Sequence, residues 1–285
     1  MGIKNNHLFK IKTYLIFMIK DSKIAIIGMG YVGSKLYDFF KSQCFETYRF
    51  DTDINKSDFR DFEDLNQNNL DFAFISVPTP MAEDGHCDTS IVEDAVRKIK
   101  AKTIVIESTI SPGTTKRLEE ETGKDILFVP EYFGETKNHL LNSLDNRTFF
   151  IIGGREEVRI KLIELLKYLF DSKTTKFHLV DSTTAEVIKY MENSYLATKV
   201  IFCEEFARIC EAFGVDYFEA REGWLLDPRI DGSHTFPRKD GLPGFGGKCL
   251  PKDVSGIIHA SEKAGHNPEF LKAMLEYNKK IREKY

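Results

Sequence analysis

The sequence lacks a hydrophobic run long enough to cross a bilayer. The apolar run at 13–19 (TYLIFMI) is far shorter than the roughly 20 residues that a spanning helix needs, and no small-residue cleavage site of a signal peptide follows it. We therefore expect no membrane partner. We expect residues 1–21 to be an extension outside the fold, or the product of a misplaced start.

A strong charge imbalance and a disulfide framework are also absent. Lys plus Arg number 40 and Asp plus Glu 44, so the net charge of -4 predicts neither nucleic acid nor an anionic membrane as partner. The five cysteines are odd in number and contain no CxxC pair. They predict reduced thiols in a cytoplasmic protein, not disulfides or a zinc site, and we expect no metal.

What the sequence does contain is an alternation of strand-like and helical patterns, in a chain long enough for two domains. The strand-like runs cover 23–28, 46–51, 71–77, 103–109, 125–130 and 148–154. Strands joined by crossover helices predict an α/β fold, in which a Rossmann-type, doubly wound parallel sheet over residues 22–180 holds a ligand at the carboxyl ends of its strands.

Beyond residue 180 the strand patterns give way to helical ones. Thr183 and Glu186 stand in capping-box spacing and Gly214 follows the pattern, which predicts a long helix over 183–213. A glycine- and proline-rich loop and two further helices, at 252–264 and 268–284, complete an all-helical central domain over 181–285.

A dinucleotide site is predicted by GMGYVG, which stands between the first strand and the first helix. Gly28 would allow the turn, Gly30 would let the backbone approach a pyrophosphate, and Gly33 would let the helix pack on the strand. Asp51 ends the second strand, where a carboxylate binds a ribose diol and repels a 2'-phosphate, which favours NAD over NADP. The alternative is that Asp51 only caps a turn in DTDIN.

The long helix carries two polar groups suited to chemistry. Lys189 and Asn193 are four residues apart and share one face, so together they could stabilise an oxyanion. The alternative is that Lys189 pairs with Glu186 and that Asn193 is only solvated.

Cys249 differs from the other cysteines in its surroundings. Glycines, Lys248 and Lys252 surround it at the start of a predicted helix, which favours the nucleophilic thiolate. The remaining four cysteines are expected to be small hydrophobes and are Cys44, Cys87, Cys203 and Cys210.

Seven motifs, in this order, resemble the UDP-glucose/GDP-mannose dehydrogenase family over about residues 22–285. They are GMGYVG, FISVPTP, ESTISPGTT, VPEYFGE, AEVIKYMENSYLA, DPRIDGSHTFP and GFGGKCLPKD. The resemblance implies that two NAD in succession oxidise a primary alcohol of a nucleotide sugar to a carboxylate. A cysteine would trap the intermediate aldehyde as a thiohemiacetal, which becomes a thioester that water hydrolyses.

The resemblance also implies roles for individual residues. Cys249 would be the nucleophile, Lys189 and Asn193 would stabilise oxyanions and contact substrate, and Asp253 would assist proton transfer. Thr109 and Glu135 would position or activate water beside the cofactor. The remaining NAD contacts would be Gly28, Gly30, Tyr31, Val32, Gly33, Asp51, Lys56 and Thr79. The sugar pocket would be lined by Glu131, Tyr132, Phe133, His234, Phe245 and Gly246.

In this family the long helix builds a homodimer, in which Arg229 of DPRI would reach the neighbouring active site. Two departures from the family pattern stand out. Gly134 occupies a position where an arginine is common, and a further Rossmann-like domain would be expected after Tyr285. The chain would then be a natural short form, a fragment, or one partner of a split enzyme.

Three functions remain open at this point. The first is a nucleotide-sugar 6-dehydrogenase, with UDP-glucose ahead of UDP-N-acetyl-hexosamines and GDP-mannose. The second is a non-catalytic NAD-binding or assembly subunit, and the third is a two-electron hydroxy-acid dehydrogenase. A nucleophilic cysteine favours the first, because neither alternative needs one.

Overall fold

A seven-stranded sheet organises the first half of the chain. The computed structural model describes residues 19–134, 141–238 and 241–283. The strands are β1 (Lys23–Ile27), β2 (Glu46–Phe50), β3 (Leu70–Ile75), β4 (Ala101–Ile106), β5 (Ile126–Phe128), β6 (Phe149–Gly153) and β7 (Lys176–Val180).

The strand order is β2-β1-β3-β4-β5-β6-β7. Strands β1 to β5 are parallel to their neighbours, β5 and β6 pair antiparallel through Phe128 and Gly153, and β6 and β7 pair parallel. The chain therefore reverses its winding direction between β1 and β3, which is where a doubly wound sheet opens a crevice at the carboxyl ends of its strands. The predicted α/β fold with a Rossmann-type sheet is confirmed.

Helices connect the strands and then form the rest of the chain. In the described residues they are α1 (Tyr31–Ser42), α2 (Phe62–Leu65), α3 (Ser90–Lys98), α4 (Thr114–Thr122), α5 (Glu156–Leu169), α6 (Ser182–Ala212), α7 (Tyr217–Trp224), α8 (Leu250–Lys263) and α9 (Glu269–Arg282). The helical character predicted for the second half is confirmed, with α6 within one residue of its predicted bounds.

The sheet is buried on both faces. Successive side chains of a strand point to opposite faces, and in β1 Ile24 and Ile26 pack into one apolar cluster while Ala25 and Ile27 pack into another. All four are at most 2% exposed. This arrangement explains why the inner strands are continuous apolar runs rather than alternating ones.

The chain separates into two compact units. The first comprises the residues up to Thr79 together with 88–187, and the second comprises 80–87 together with the residues from Ile188 onward. The second unit has its own small core, formed by Ala197, Phe245, Val254, Ile258 and Met274. The short segment 80–87 thus belongs with the helices although it lies far from them in sequence.

Strand β7 and helix α7 are among the elements that were not predicted. Strand β7 lies at the sheet edge and pairs on one side only, so its residues are half-buried or exposed and lack a continuous apolar run. Helix α7 has only eight residues, in which polar and apolar side chains are mixed. Its N-cap is Asp216, whose carboxylate accepts the backbone N–H groups of Phe218 (2.6 Å) and Glu219 (3.3 Å).

The predicted capping box of the long helix is wrong. Asp181 caps α6, because its carboxylate accepts the backbone N–H (2.9 Å) and the hydroxyl (2.6 Å) of Thr184. Glu186 instead accepts from the Gly113 backbone N–H (2.5 Å) and from the N–H (2.9 Å) and hydroxyl (2.6 Å) of Thr115, at the start of α4. Gly214 follows the helix with a φ of 67°, as a helix-ending glycine does.

Among the described residues, no helix combines the length and the apolar character needed to cross a membrane. The apolar run at 13–19 falls almost entirely outside the described residues, as does most of the expected extension 1–21.

Candidate active site

The glycine-rich turn after β1 is enforced by close packing. Gly28 has a φ of 91°, and a side chain there would meet the Ser76 carbonyl oxygen at 2.7 Å from its Cβ. A Cβ on Gly33 would lie 1.8 Å from the Gly28 carbonyl oxygen. These two glycines are therefore required by the turn itself and by the contact between α1 and that turn.

Gly30 differs from Gly28 and Gly33, because neither its backbone angles nor the packing around it require a glycine at this position. Its φ is -77°, and a Cβ there would find no atom within 4 Å. Gly30 is the N-cap of α1, so open space lies where the first-turn N–H groups and the positive end of the helix dipole are available to an anion. This cradle fits the pyrophosphate of a dinucleotide.

Asp51 follows β2 and holds the glycine turn. Its carboxylate accepts the backbone N–H of Met29 (2.6 Å) and that of Asp53 (2.9 Å). Partial burial opposes its ionisation, but these N–H groups and the charge of Lys56 hold the pKa of Asp51 below its usual value. The turn-capping role considered from sequence is therefore present, and it places an ionised carboxylate next to the cradle at Gly30.

Two further segments reach the same edge of the sheet, because β3 and β4 are parallel neighbours. Thr79 follows β3 and is 8% exposed, and Thr109 follows β4 and is half-buried. The Ser108 hydroxyl ties the segments together by donating to the Val77 carbonyl at 2.7 Å.

The segment after β5 is fastened to the start of α1. The Tyr31 hydroxyl donates to the Gly134 carbonyl at 2.7 Å, and the Lys35 ammonium lies over the rings of Tyr31 (5.0 Å) and Phe133 (5.6 Å). Glu131 accepts the backbone N–H of Phe133. Glu135 falls outside the described residues, so its predicted role stays a prediction.

The other residues predicted to contact NAD or sugar in this unit occupy different environments. Val32 is half-buried against the sheet core, and Lys56 is exposed with its ammonium 3.9 Å from Asp53. Tyr132 is buried beneath the Arg147 guanidinium, which lies 5.3 Å from its ring centre. Tyr132 therefore packs inside the unit and supports the segment that follows β5.

A buried carboxyl in this unit was not predicted. Glu107 precedes Ser108 at the end of β4 and is 5% exposed, with an oxygen 3.4 Å from the Ser76 hydroxyl. Burial raises the pKa of Glu107 to about 8, against the opposing charge of Arg147. The apolar strand residues before Glu107 could have indicated that its side chain is buried. The sequence gives no sign that Ser76 and Arg147 lie next to it.

In the second unit a buried polar network joins α6 to the first turn of α8. The Asp253 carboxylate is 1% exposed; one oxygen accepts from the Asn193 amide at 2.5 Å and the other from the Lys252 ammonium at 2.5 Å. Because both oxygens have charged or amide donors, the carboxylate is fixed in position on the helix. The prediction that Asn193 is only solvated, offered as the alternative, is wrong.

Lys189 lies one turn before Asn193 on α6 and is 9% exposed. Its ammonium is 3.7 Å from the carboxylate of Glu192. The alternative pairing with Glu186 does not occur, because that carboxylate binds the start of α4. Two buried hydrogen-bond donors, the ammonium and the amide, thus belong to neighbouring turns of one helix face.

Cys249 is the N-cap of α8 and is exposed. Its carbonyl accepts the backbone N–H of Asp253 at 2.9 Å, which places the cysteine one helical turn before the buried carboxylate. Cys249 therefore stands at the end of α8 where the helix dipole is positive, close in sequence to Lys248 and Lys252.

The loop before Cys249 is held by α9. The buried Asn278 side chain accepts the Phe245 backbone N–H (2.8 Å) and donates to the Phe245 carbonyl (3.0 Å). The Arg282 guanidinium donates to the Pro243 carbonyl at 3.2 Å. A Cβ on Gly246 would lie only 2.8 Å from this guanidinium, so the loop passes close to it. Neither Asn278 nor Arg282 was predicted, since both are more than 30 residues from the loop.

Three of the residues of this unit that were predicted to contact substrate differ in how far they are exposed to solvent. The Phe245 side chain is 2% exposed and belongs to the core of the unit. His234 is half-buried with a φ of 58°. Arg229 is exposed and pairs with Asp227 (2.6 Å).

All five cysteines are free thiols, and Cys87 and Cys203 are buried as expected. The expectation is wrong for Cys44, which is exposed and has a φ of 63° in the turn after α1. Cys210 is half-buried on α6.

The predicted residues therefore form two separate groups. Gly28, Gly30, Asp51, Thr79 and Thr109 share the carboxyl edge of the sheet in the first unit. Asn193 and Asp253 are in direct contact in the second unit, with Cys249 one turn away on the same helix.

Comparison with known proteins finds two domains of one family in consecutive parts of the chain. The NAD binding domain model of the UDP-glucose/GDP-mannose dehydrogenase family matches residues 58–172, and the central domain model of the same family matches residues 183–280. The UDP-glucose 6-dehydrogenase TuaD of Bacillus subtilis is 29% identical over 91% of this chain and 63% of its own length. A UDP-N-acetyl-D-mannosamine dehydrogenase of Methanococcus vannielii is 31% identical over 92% of this chain and 66% of its own length.

Solved structures show the same fold. A UDP-glucose dehydrogenase from Pyrobaculum islandicum superposes with a TM-score of 0.77 at 24% identity, over 91% of this chain and 68% of that chain. The chain spans about six-tenths of the length of the curated relatives it matches. Because the two family domains match consecutive parts of the sequence and the fold agrees, the chain belongs to the UDP-glucose/GDP-mannose dehydrogenase family.

Proposed function

We propose that this chain oxidises the C6 primary alcohol of a nucleotide sugar, with UDP-glucose as the substrate, to the uronic acid. The balanced reaction takes one alcohol, two NAD⁺ and one water to one carboxylate, two NADH and three protons. The observation that carries the proposal is the exposed Cys249 at the start of α8, one turn before the buried Asn193–Asp253–Lys252 network.

The first unit would bind the cofactor. Gly30 and the first turn of α1 would hold the pyrophosphate, and the ionised Asp51 would accept hydrogen bonds from the adenosine ribose. Bound NAD⁺ supplies the hydride acceptor for each oxidation. The negative charge of Asp51 would disfavour the additional phosphate of NADP.

The second unit would supply the covalent chemistry. In the first oxidation the hydroxyl proton would pass to Asp253, directly or through water. The Cys249 thiolate would then form a C–S bond to the aldehyde carbon, and Lys189 and Asn193 would donate hydrogen bonds to the resulting oxyanion.

Loss of a second hydride from the thiohemiacetal carbon gives a thioester. Attack by water then breaks the C–S bond and returns the thiolate of Cys249, with the carboxylate as product. The roles of Thr109 and Glu135 in handling this water stay predictions.

The choice of a four-electron reaction rests on the setting of the cysteine. A two-electron dehydrogenase releases its carbonyl product and has no use for a thiol that can trap it. A binding subunit has no use for the buried carboxylate of Asp253 with its amide and ammonium donors, since burying a charge carries a desolvation cost. The relatives named for UDP-glucose support the choice of substrate, and those named for UDP-N-acetyl-D-mannosamine define the first rival.

The experiment is an NADH-release assay on the purified chain with UDP-glucose, UDP-N-acetyl-D-mannosamine and GDP-mannose. We expect two NADH for each UDP-glucose consumed, and none from Cys249→Ala. Cys44→Ala is the matched control, because Cys44 is also exposed and lies in the other unit. One NADH per substrate with no effect of Cys249→Ala would show a two-electron enzyme, and NAD⁺ binding without turnover would show a binding subunit.

We also propose that the chain forms a homodimer through α6. Exposed apolar side chains recur along this helix at spacings of three, four and seven residues, at Met191, Tyr195, Phe202, Phe206 and Ile209, and Phe213 directly after the helix continues the spacing. These positions follow a heptad repeat, whose seam is buried when two helices pair. Such a stripe on a chain of otherwise ordinary composition indicates a partner surface.

The free state of all five cysteines supports a reducing compartment, and we propose that the protein works in the cytoplasm.

A further inference from the structure

A small hairpin in the second unit carries Asp84 and His86, whose side chains are of the types that bind metal ions. Met81 and Cys87 pair as an antiparallel bridge, and the Ala82 backbone N–H donates to the His86 carbonyl at 2.9 Å. Gly85 completes the turn with a φ of 91°, a conformation that glycine adopts without strain. Asp84 and His86 project from this rigid turn.

The hairpin is packed tightly against α8. A Cβ on Gly85 would lie 2.5 Å from the Ser255 hydroxyl, and a Cβ on Gly256 would lie 3.5 Å from the Cβ of Cys87. His259 is four residues after Ser255, so it lies on the same face of the helix, one turn further along. The hairpin and the helix thereby bring together histidines that are 173 positions apart in sequence.

The three side chains converge on one point. His86 Nδ1 is 2.5 Å from one oxygen of Asp84, and His259 Nε2 is 3.7 Å from the other. The two imidazole rings are 5.4 Å apart between centres, and the three potential ligand atoms all lie within 4.8 Å of one another. The His86 backbone N–H also donates to Asp84 at 3.1 Å, which orients the carboxylate toward both rings.

We propose that Asp84, His86 and His259 form a binding site for a divalent late transition metal ion, with Zn²⁺ as its preferred occupant. Two imidazoles and one carboxylate are a ligand set that suits Zn²⁺. With metal–ligand distances of roughly 2.0 to 2.2 Å, tetrahedral ligand atoms are about 3.4 Å apart. The observed separations bracket that value, so side-chain rotations can close the site around an ion.

The surroundings leave room for a fourth ligand. The three residues line an open cavity of about 510 Å³ together with Glu262 and Lys263. Glu262 is engaged by the Lys272 ammonium at 2.5 Å, so water is the expected fourth ligand. The side chains of Asp84, His86 and His259 are 61%, 42% and 37% exposed, which leaves the ion access to the site from solvent.

The ion would act as a cross-link between the hairpin and α8. Because such a site requires the folded hairpin and helix together, metal binding would stabilise the folded state in proportion to the logarithm of the metal concentration above its dissociation constant. The helix that receives the cross-link is the one that begins after Cys249. The proposal depends on the geometry of this cluster and not on the reaction proposed above.

The test uses the untagged full chain, so that no purification histidines compete. Zn²⁺ binding is measured by isothermal titration calorimetry, and Co²⁺ is used as a spectroscopic probe of the coordination geometry. We expect one ion per chain from this site, and a tenfold or greater loss of affinity in each of Asp84→Asn, His86→Ala and His259→Ala. His266→Ala is the control, because His266 belongs to the same unit but not to the cluster.

Thermal melts without metal establish that each variant folds. Zn²⁺ should raise the melting temperature of the wild type and of His266→Ala, and raise it less in the three cluster variants. Two outcomes would overturn the proposal. One is the absence of saturable binding up to about 1 mM Zn²⁺, and the other is binding that all three cluster variants retain unchanged, which would place the ion elsewhere, for example on an exposed thiol.

Discussion

Replacing Asn278 by alanine should detach the loop that precedes Cys249. The Asn278 side chain is 4% exposed and makes two hydrogen bonds, to the N–H and to the carbonyl of Phe245. Phe245 is itself 2% exposed, so neither backbone group has water as a replacement partner. Each buried group left without a partner costs about 1 to 3 kcal/mol, and the two together predict a loss of about 2 to 6 kcal/mol in the free energy of unfolding.

The loss is measured by guanidinium denaturation followed by circular dichroism, together with hydrogen exchange of the peptide that contains 244–249. The control is Glu276→Ala, which removes an exposed side chain from the same helix and should leave both measurements unchanged. Local release of the loop would appear as faster exchange of the Phe245 amide even if the global midpoint moved little. A change below about 1 kcal/mol together with unaltered exchange would refute the view that this amide holds the loop.

Three further results are expected. Gly33→Ala should fail to fold or to bind NAD⁺, since its Cβ would lie 1.8 Å from the Gly28 carbonyl oxygen, whereas Gly30→Ala should fold normally and lose only NAD⁺ affinity in thermal melts with and without NAD⁺. Burial raises the pKa of Glu107 to about 8, so the neutral carboxyl should stabilise the fold fully below about pH 4.5. Up to about 5 kcal/mol of that stabilisation should be lost as the pH rises through 8. Urea midpoints measured across this range should fall, and Glu107→Gln should remove the dependence on pH. Phe206→Glu should convert a dimer into a monomer in light scattering, and a monomeric wild type would contradict the proposed interface.

The sheet was predictable because its inner strands are buried on both faces. Ile24 and Ile26 face one cluster while Ala25 and Ile27 face the other, so the whole strand is apolar and stands out in the sequence. Strand β7 forms only one pairing and has no such run, so it was missed. Prediction by pattern thus succeeded for the buried inner strands and for the edge strand β2, whose buried Thr47 and Phe50 leave a signal, and it failed for the edge strand β7, which has no buried residue.

Helix starts show why local sequence patterns are insufficient on their own. Thr183 and Glu186 have the spacing of a capping box, but Asp181 caps α6. The Glu186 carboxylate accepts hydrogen bonds from three donors at the start of α4 instead. Two of these donors belong to Thr115, which is 71 positions earlier in the sequence. A carboxylate that has several buried donors nearby will bind them in preference to one N–H in its own helix.

The candidate site divides in the same way. The glycine turn before α1 and the position of Cys249 at the start of α8 were predictable, because the signals for both lie in adjacent residues. The contact that holds the loop before Cys249 was not predictable, because Asn278 reaches Phe245 only through the packing of the helices. Candidate residues for the proposed chemistry were therefore easier to recognise from sequence than the residues that hold them in position.

Helix α8 shows what this positioning achieves. Its first turn is fixed by the contact of Asp253 with Asn193, its middle by the close approach of Gly256 to the Tyr190 hydroxyl, and its outer face by the hairpin at Ser255. These three contacts lie within the second unit, and we expect them to set the position of α8 and of Cys249 at its start. We therefore expect Cys249 to react with a thiol reagent at the same rate in the wild type and in Gly30→Ala, with NAD⁺ present in both measurements. A rate that changed with Gly30→Ala would show that the cysteine is prepared for reaction by the first unit rather than by α8.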